Sequence, residues 1–278
     1  MKYLLLCGVH GNEQNAVLSA IKAYNAIQQE NHGSIQLCSL IVNTPALRAC
    51  EREYPGTEPA TSDMNRMYGK EDDFRPEEAI ETIKQKIAES DVVIDIHNSP
   101  ACANSILISN SDYAEDYVRF ATEMGICYIV SESATNTAKK FAIESGKIGF
   151  TVELGGMGFC PEFKTVIAKN VQFIHRLVMS VESYVQNGGK FEKKFPMVQN
   201  CIVTQIYAHN EGIVDYVKEL GESFRAGEVI GCIYAPNGTI VEKVVAPFDG
   251  WFADSLPKIW VDAGDVICDL QPAAGGKR

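Results

Sequence analysis

Through the first two thirds of the chain, short apolar runs alternate with longer stretches in which apolar residues return every three or four positions. Lys2–Cys7 reads as a buried strand, cut short by Gly8. Glu13–Glu30 places Val17, Ala20, Ile21, Tyr24 and Ile27 at helical spacing. Ile35–Val42 is a second strand, ended by Asn43-Thr44-Pro45, and the Pro, Gly, Ser and Thr between Tyr54 and Asp63 make a loop. Pro76 opens a helix with Ile80, Ile83 and Ile87 along one face. Val92–Ile96, Ser105–Ile108, Cys127–Val130 and Gly149–Glu153 read as further strands, with helices over Asp112–Met124 and Glu162–Val185. This alternation predicts an α/β fold: a mixed, mostly parallel sheet flanked by helices, over residues 1–186.

The pattern changes near residue 187. Asn187-Gly188-Gly189-Lys190 opens a linker, taken as 187–196, beyond which no helical period appears. Short strand-like pieces follow: Cys201–Tyr207, Val229–Ile233, Ile240–Val245, Gly250–Ala253 and Val266–Leu270, separated by turn signals such as Pro236-Asn237-Gly238. Residues 197–272 therefore predict a small all-β sandwich or barrel, with a frayed tail at 273–278. Two phrases within it echo each other, Leu220-Gly221-Glu222-Ser223-Phe224-Arg225-Ala226-Gly227-Glu228-Val229-Ile230 and Val261-Asp262-Ala263-Gly264-Asp265-Val266-Ile267, which suggests an internal two-fold arrangement.

Charge narrows the partners. With 25 Lys+Arg against 36 Asp+Glu the net charge is −11, which disfavours nucleic acid and anionic membrane surfaces. No apolar stretch approaches a membrane span, and the run after Lys2 is too short for a signal peptide. Nine dispersed cysteines without a CxxC pair are neither a disulfide framework nor a Cys-rich zinc site, so the expected setting is reducing and cytoplasmic.

Two of the five histidines sit where strands should end. His10 opens His10-Gly11-Asn12-Glu13 after the first strand, and His97 follows Val92–Ile96. In open α/β sheets ligands collect beyond the carboxyl ends of the strands, so both could converge there. Two His and one Glu plus water is a catalytic zinc set. The other reading is structural: Asn12 as N-cap, Glu13 meeting the helix dipole, and His97 a hydrogen-bonded histidine at a sheet edge. Asn65-Arg66 sets an amide beside a guanidinium suited to a carboxylate, although a surface salt bridge would read the same way. Glu153 ends an apolar run before Gly155-Gly156, where burial would raise its pKa and suit it to general-base work unless it faces water. Asp95 is either an orienting group or a buried, hydrogen-bonded carboxylate. His32, His175 and His209 show no partner pattern.

The ordered set HGNE, DMNR, DIHN and VELGG resembles the succinylglutamate desuccinylase/aspartoacylase family, zinc amidohydrolases related to the zinc carboxypeptidases. The resemblance runs from about residue 3 to about 185 and extends to the β-domain. It implies one zinc ion, Zn2+, per chain, held by His10, Glu13 and His97, with Glu153 as catalytic base and later acid. It implies Asn65 and Arg66 as the grip on the substrate's α-carboxylate, and an arginine upstream that polarises the scissile carbonyl. Arg52 takes that place, with Arg48 as the fallback. The implied reaction is hydrolysis of a small N-acyl amino acid, with carboxypeptidase-like cleavage of short peptides, or a degenerate binding protein, as alternatives. Lys139 and Lys140 lie where a second acyl-pocket cation would fall, but equally suit a solvated helix face. The β-domain looks like a biotinyl/lipoyl barrel-sandwich whose lysines stand in no carrier setting. Its expected part is to shape the active-site mouth, with homo-oligomer contacts as one route to that.

Overall fold

The computed structural model describes residues 1–30, 32–55, 63–68, 77–99, 104–109, 114–131, 136–156, 164–191, 203–255 and 259–273. They fall into two compact units, Met1–Pro100 with Ser133–Phe191, and Ala101–Glu132 with Glu192–Arg278. The elements up to residue 186 are β1 (Lys2–Cys7), α1 (Gln14–Gln29), β2 (Gln36–Ile41), α2 (Thr44–Ala49), α3 (Glu77–Ala88), β3 (Val92–Ser99), β4 (Ser105–Ser109), α4 (Ala114–Met124), β5 (Tyr128–Ser131), α5 (Ala138–Glu144), β6 (Ile148–Gly155) and α6 (Lys164–Gln186).

In the first unit β2, β1, β3 and β6 lie side by side, all parallel. Their residues alternate between two covered faces. Leu4, Leu6 and Val93 pack with Ile80, Ile83 and Ile87 of α3 and with Ala138 and Ala142 of α5. Tyr3 points the other way, its hydroxyl donating to Glu182 of α6 at 2.9 Å. Burial on both faces explains why these strands read as continuous apolar runs; each such side chain contributes about 1.5–3 kcal/mol. Because the strands are parallel, the ends of β1, β3 and β6 that carry the candidate residues lie at one edge of the sheet.

In the second unit β4 pairs parallel with β5, from Ile106 opposite Tyr128 to Ser109 opposite Ser131. Strands β7 (Thr204–Tyr207), β8 (Gly212–Tyr216), β9 (Ser223–Phe224), β10 (Val229–Tyr234), β11 (Ile240–Val245), β12 (Gly250–Ser255), β13 (Trp260–Val261) and β14 (Val266–Pro272) form two antiparallel sheets. Their orders are β11-β10-β8-β13 and β7-β14-β12-β9. A shared core includes Phe224, Ile230, Ile233, Phe252, Ile267 and Leu270. The backbone N–H of Val130 in β5 donates to the buried side-chain Oε1 of Gln271 at 2.8 Å, and Val203 N–H donates to Val130 O at 2.9 Å. These bonds tie β5 to the C-terminal strands.

The two echoing phrases build the same turn. Gly227 and Gly264 both take positive φ (83° and 95°), a region glycine enters at little cost. In each turn an acidic side chain, Glu228 or Asp265, accepts a backbone N–H three residues back, at 3.0 and 3.1 Å. Strands β9 and β13 escape the hydropathy reading because they have two residues each, and β8 because its apolar run is only Ile213-Val214 before Asp215. Asn43-Thr44-Pro45 does more than end β2: Asn43 caps α2 and Pro45 enters its first turn, a start signal that outweighs the helix's short length. The predicted start at Pro76 and the loop over 56–62 lie outside the described residues.

Candidate metal centre

His10 lies in the turn after β1, Glu13 at the N-cap of α1 and His97 inside β3, which runs on to Ser99. All three side chains are buried. Glu13 gives its helix no side-chain cap. The cap comes instead from Asn98, whose Oδ1 accepts the N–H of Ala16 while its amide donates to Leu154 O at 3.0 Å. That frees both oxygens of Glu13. Oε1 meets His10 Nδ1 at 2.7 Å, and Oε2 meets His97 Nδ1 at 3.1 Å and the N–H of Asn98 at 3.1 Å.

The outer nitrogens are fixed as well. His10 Nε2 faces Asp63 Oδ1 at 3.2 Å, and His97 Nε2 faces Asp95 Oδ2 at 3.0 Å. A carboxylate on Nε2 holds the proton there in the neutral ring and leaves Nδ1 as the lone pair, the arrangement that orients metal-binding histidines. Among the described residues the donor atoms of His10, Glu13 and His97 lie within 4.8 Å of one another, a group able to hold a metal ion. Two imidazole nitrogens and one carboxylate fit zinc. Asp63 and Asp95 are the carboxylates that back the two rings; for Asp95 the orienting reading is open from its place two residues before His97, whereas Asp63 has no signal beyond its position in DMNR.

Glu153 lies opposite His97 in the parallel register of β3 and β6, so the two side chains leave the same face of the sheet. Burial raises its pKa, opposed by His97, while the charges of Glu13 and Asp95 push it further up. Asn65 is buried in a 3-10 turn, Met64–Arg66, and its amide is used within the protein. Its Oδ1 accepts Ala138 N–H at 3.0 Å, and its Nδ2 lies 3.2 Å from Asp95 Oδ2 and 3.1 Å from His97 Nε2. Arg66 donates to Asn65 O at 2.8 Å and leaves its guanidinium half exposed. Arg52 reaches the centre, its Nη1 3.5 Å from Glu13 Oε1, whereas Arg48 stands on the exposed side of α2. Lys140 pairs with Glu144 at 3.4 Å along its own helix, and Lys139 is buried.

The charges predict how a metal enters. Burial alone would lower the pKa of both histidines. At His10 the bonds to Asp63 and Glu13 more than offset this, and at His97 the charges of Asp95 and Glu13 do so, leaving both raised. Stability from these pairs is therefore full below the ordinary imidazole value and fades as pH rises through the raised ones. For Asp63 burial is outweighed by the bond to His10, and its pKa falls to about 2; that contribution is present above the ordinary Asp value and lost as pH falls towards about 2. A metal must displace the imidazole protons. Zinc uptake is expected to release protons, with affinity climbing as pH rises through the raised imidazole values. Calorimetry in buffers of different ionisation enthalpy measures this; a pH-independent affinity would contradict it.

Residues 1–182 match the model of the succinylglutamate desuccinylase/aspartoacylase catalytic domain. The chain belongs to this family. Membership makes it one of a family of deacylase/aspartoacylase hydrolases. Solved structures of the family share its fold. A succinylglutamate desuccinylase/aspartoacylase from Rhodobacter sphaeroides superposes with TM-score 0.63 at 18% identity, over 98% of this chain and 85% of that one. An aspartoacylase family protein from Mesorhizobium loti gives TM-score 0.62 at 18% identity, over 98% and 85%. The product-bound ectoine utilization protein EutE (DoeB) from Ruegeria pomeroyi gives 0.58 at 15%, over 98% and 85%. No curated protein sequence matches the chain. Among the described residues no helix is long and apolar enough to cross a membrane.

Proposed function

We propose that this family member hydrolyses the amide bond of a small N-acyl amino acid, such as an N-acetyl or N-succinyl derivative, with one zinc ion held by His10, Glu13 and His97. The observation that carries this reading is the convergence of two imidazole Nδ1 atoms on one buried carboxylate, each ring backed by its own aspartate. Zinc in such a site lowers the pKa of a water towards neutrality and polarises a carbonyl.

The chain's own residues divide the remaining work. Glu153 takes a proton from the attacking water and returns it to the departing amine, so hydroxyl goes to the acyl carbon and hydrogen to nitrogen. Its raised pKa keeps the proton within its reach for the second step. Arg52, half exposed and 3.5 Å from Glu13, is free to swing onto the carbonyl oxygen and stabilise its developing charge. Arg66 offers the half-exposed fork for the substrate's α-carboxylate, and Asn65 beside it anchors Arg66 through its backbone oxygen. Residues 1–186 are read as the catalytic domain, of which Ala101–Glu132 cluster with the C-terminal strands, and 197–272 as a non-carrier β-domain. Lys218 fits that reading, because it is tied to Glu222 at 3.0 Å and Glu228 at 2.7 Å.

Two tests address the parts. Arg52→Ala is expected to lower kcat/KM about a hundredfold, the scale of losing one oxyanion donor, while Arg48→Ala stays within about twofold. Equal losses in the two variants would remove Arg52 from the mechanism. The substrate class is tested by primary-amine release from a panel of N-acetyl and N-succinyl derivatives of acidic, neutral and basic amino acids, with dipeptides alongside. Release from N-acyl amino acids supports the proposal; release from dipeptides alone moves the reading to a carboxypeptidase-like enzyme.

A further inference from the structure

A second group of histidines and a carboxylate lies on the outside of the first unit. Glu30 closes the C-terminal end of α1, its N–H on Ala26 O at 3.2 Å. His32 follows in the turn towards β2, where its carbonyl accepts the N–H of Ile35 at 2.9 Å. His175 sits on α6, 145 residues from Glu30 in sequence. That distance is why no partner pattern was visible. In space His32 Nε2 and His175 Nε2 stand 2.8 and 2.7 Å from the same oxygen, Oε2 of Glu30.

We propose that Glu30, His32 and His175 form a surface site for a divalent transition metal of the zinc type, clamping the end of α1 to α6. The donor atoms lie within 4.8 Å of one another. Tetrahedral ligands on bonds of about 2.0–2.1 Å stand about 3.3 Å apart, so the cluster has to open by about half an ångström. Side chains that are 47, 37 and 29% exposed can open that far, while the backbones beneath are anchored. Helix α1 buries Ala16, Ala20, Ala23 and Ile27, and α6 buries Ile174, Leu177, Val178 and Val181. Bonds from His32 and then His175 hold the Glu30 carboxyl below the ordinary range, so it remains ionised. Two imidazoles and one carboxylate suit zinc, copper or nickel, whereas calcium and magnesium need more oxygens. When the metal binds, each neutral ring carries its proton on Nδ1 instead of Nε2. Glu30 lies seventeen residues along α1 from Glu13, about 25 Å, so the two sites share no ligand.

The test is calorimetric titration of zinc chloride into the full chain, first stripped of metal, comparing wild type with His175→Gln, His32→Gln and Glu30→Gln. Each variant is expected to take up one equivalent less than wild type, and zinc shifts the ring resonances of His32 and His175 in wild type. An unchanged stoichiometry in the variants overturns the proposal. The readout is a difference of one equivalent, so it stands or falls apart from the zinc assigned to His10, Glu13 and His97. Amine release follows that inner site, and these variants leave it unchanged.

Discussion

Glu153→Gln is expected to leave the chain folded and able to hold its metal while amide hydrolysis falls about a thousandfold. Glutamine keeps the size and polarity of the side chain, so β6 and its register with β3 have no reason to shift. The substitution removes one capacity, taking a proton and giving it back. Glu153 is not among the three converging donors, so zinc content by elemental analysis should match wild type. The pH profile adds a second signature. A base must be ionised, so wild-type activity falls as pH drops through the Glu153 value, which burial raises above the ordinary carboxylate range. The residual activity of the Gln variant lacks that limb. Near-normal turnover with metal bound would remove Glu153 from the chemistry.

Gly11→Ala carries the second large effect, acting through the backbone of the metal loop. A Cβ on Gly11 would lie 2.0 Å from the backbone carbon of Ala46 and 2.1 Å from its oxygen. No rotamer relieves a clash with main chain, so the turn holding His10 and Glu13 has to move away from α2. The expected cost is about 3 kcal/mol of stability, the upper part of the range for overpacking, with zinc affinity down at least about tenfold as the donors separate. Gly33→Ala is the control, because a Cβ there meets nothing within 4 Å. Thermal unfolding and zinc titration of both variants decide it; a Gly11→Ala protein with wild-type affinity would show that the loop tolerates displacement.

Much of the fold was legible because the first unit's strands are buried on both faces. The stretch Lys2–Cys7 shows it: continuous burial writes a continuous apolar run, and the observed strand has the same bounds. Helix α1 and the Ile80, Ile83, Ile87 face of α3 were legible by period. What escaped were elements too short to write a period, such as α2, α5 and the two-residue strands β9 and β13. At the site, His10, Glu13 and His97 could be picked out as ordered motifs, and the structure brings their donor atoms together. Of the supporting groups only Asp95 was visible, as a possible orienting group two residues before His97; the partners of Asp63 and Asn98 lie too far along the chain to be read locally. Asp63, Asp95 and Asn98 act through contacts across 53, 2 and 82 residues of chain, to His10, His97 and Ala16. The Glu30–His175 pairing is set by how α1 packs on α6, which no local pattern records.

The most direct measurement is amine release from N-acyl amino acids by the zinc-loaded protein, by the same protein after complete chelation, and after zinc is restored. The account predicts release that disappears with the metal and returns with it, in wild type but not in His97→Ala. Undiminished release from protein shown by elemental analysis to hold no metal would contradict it.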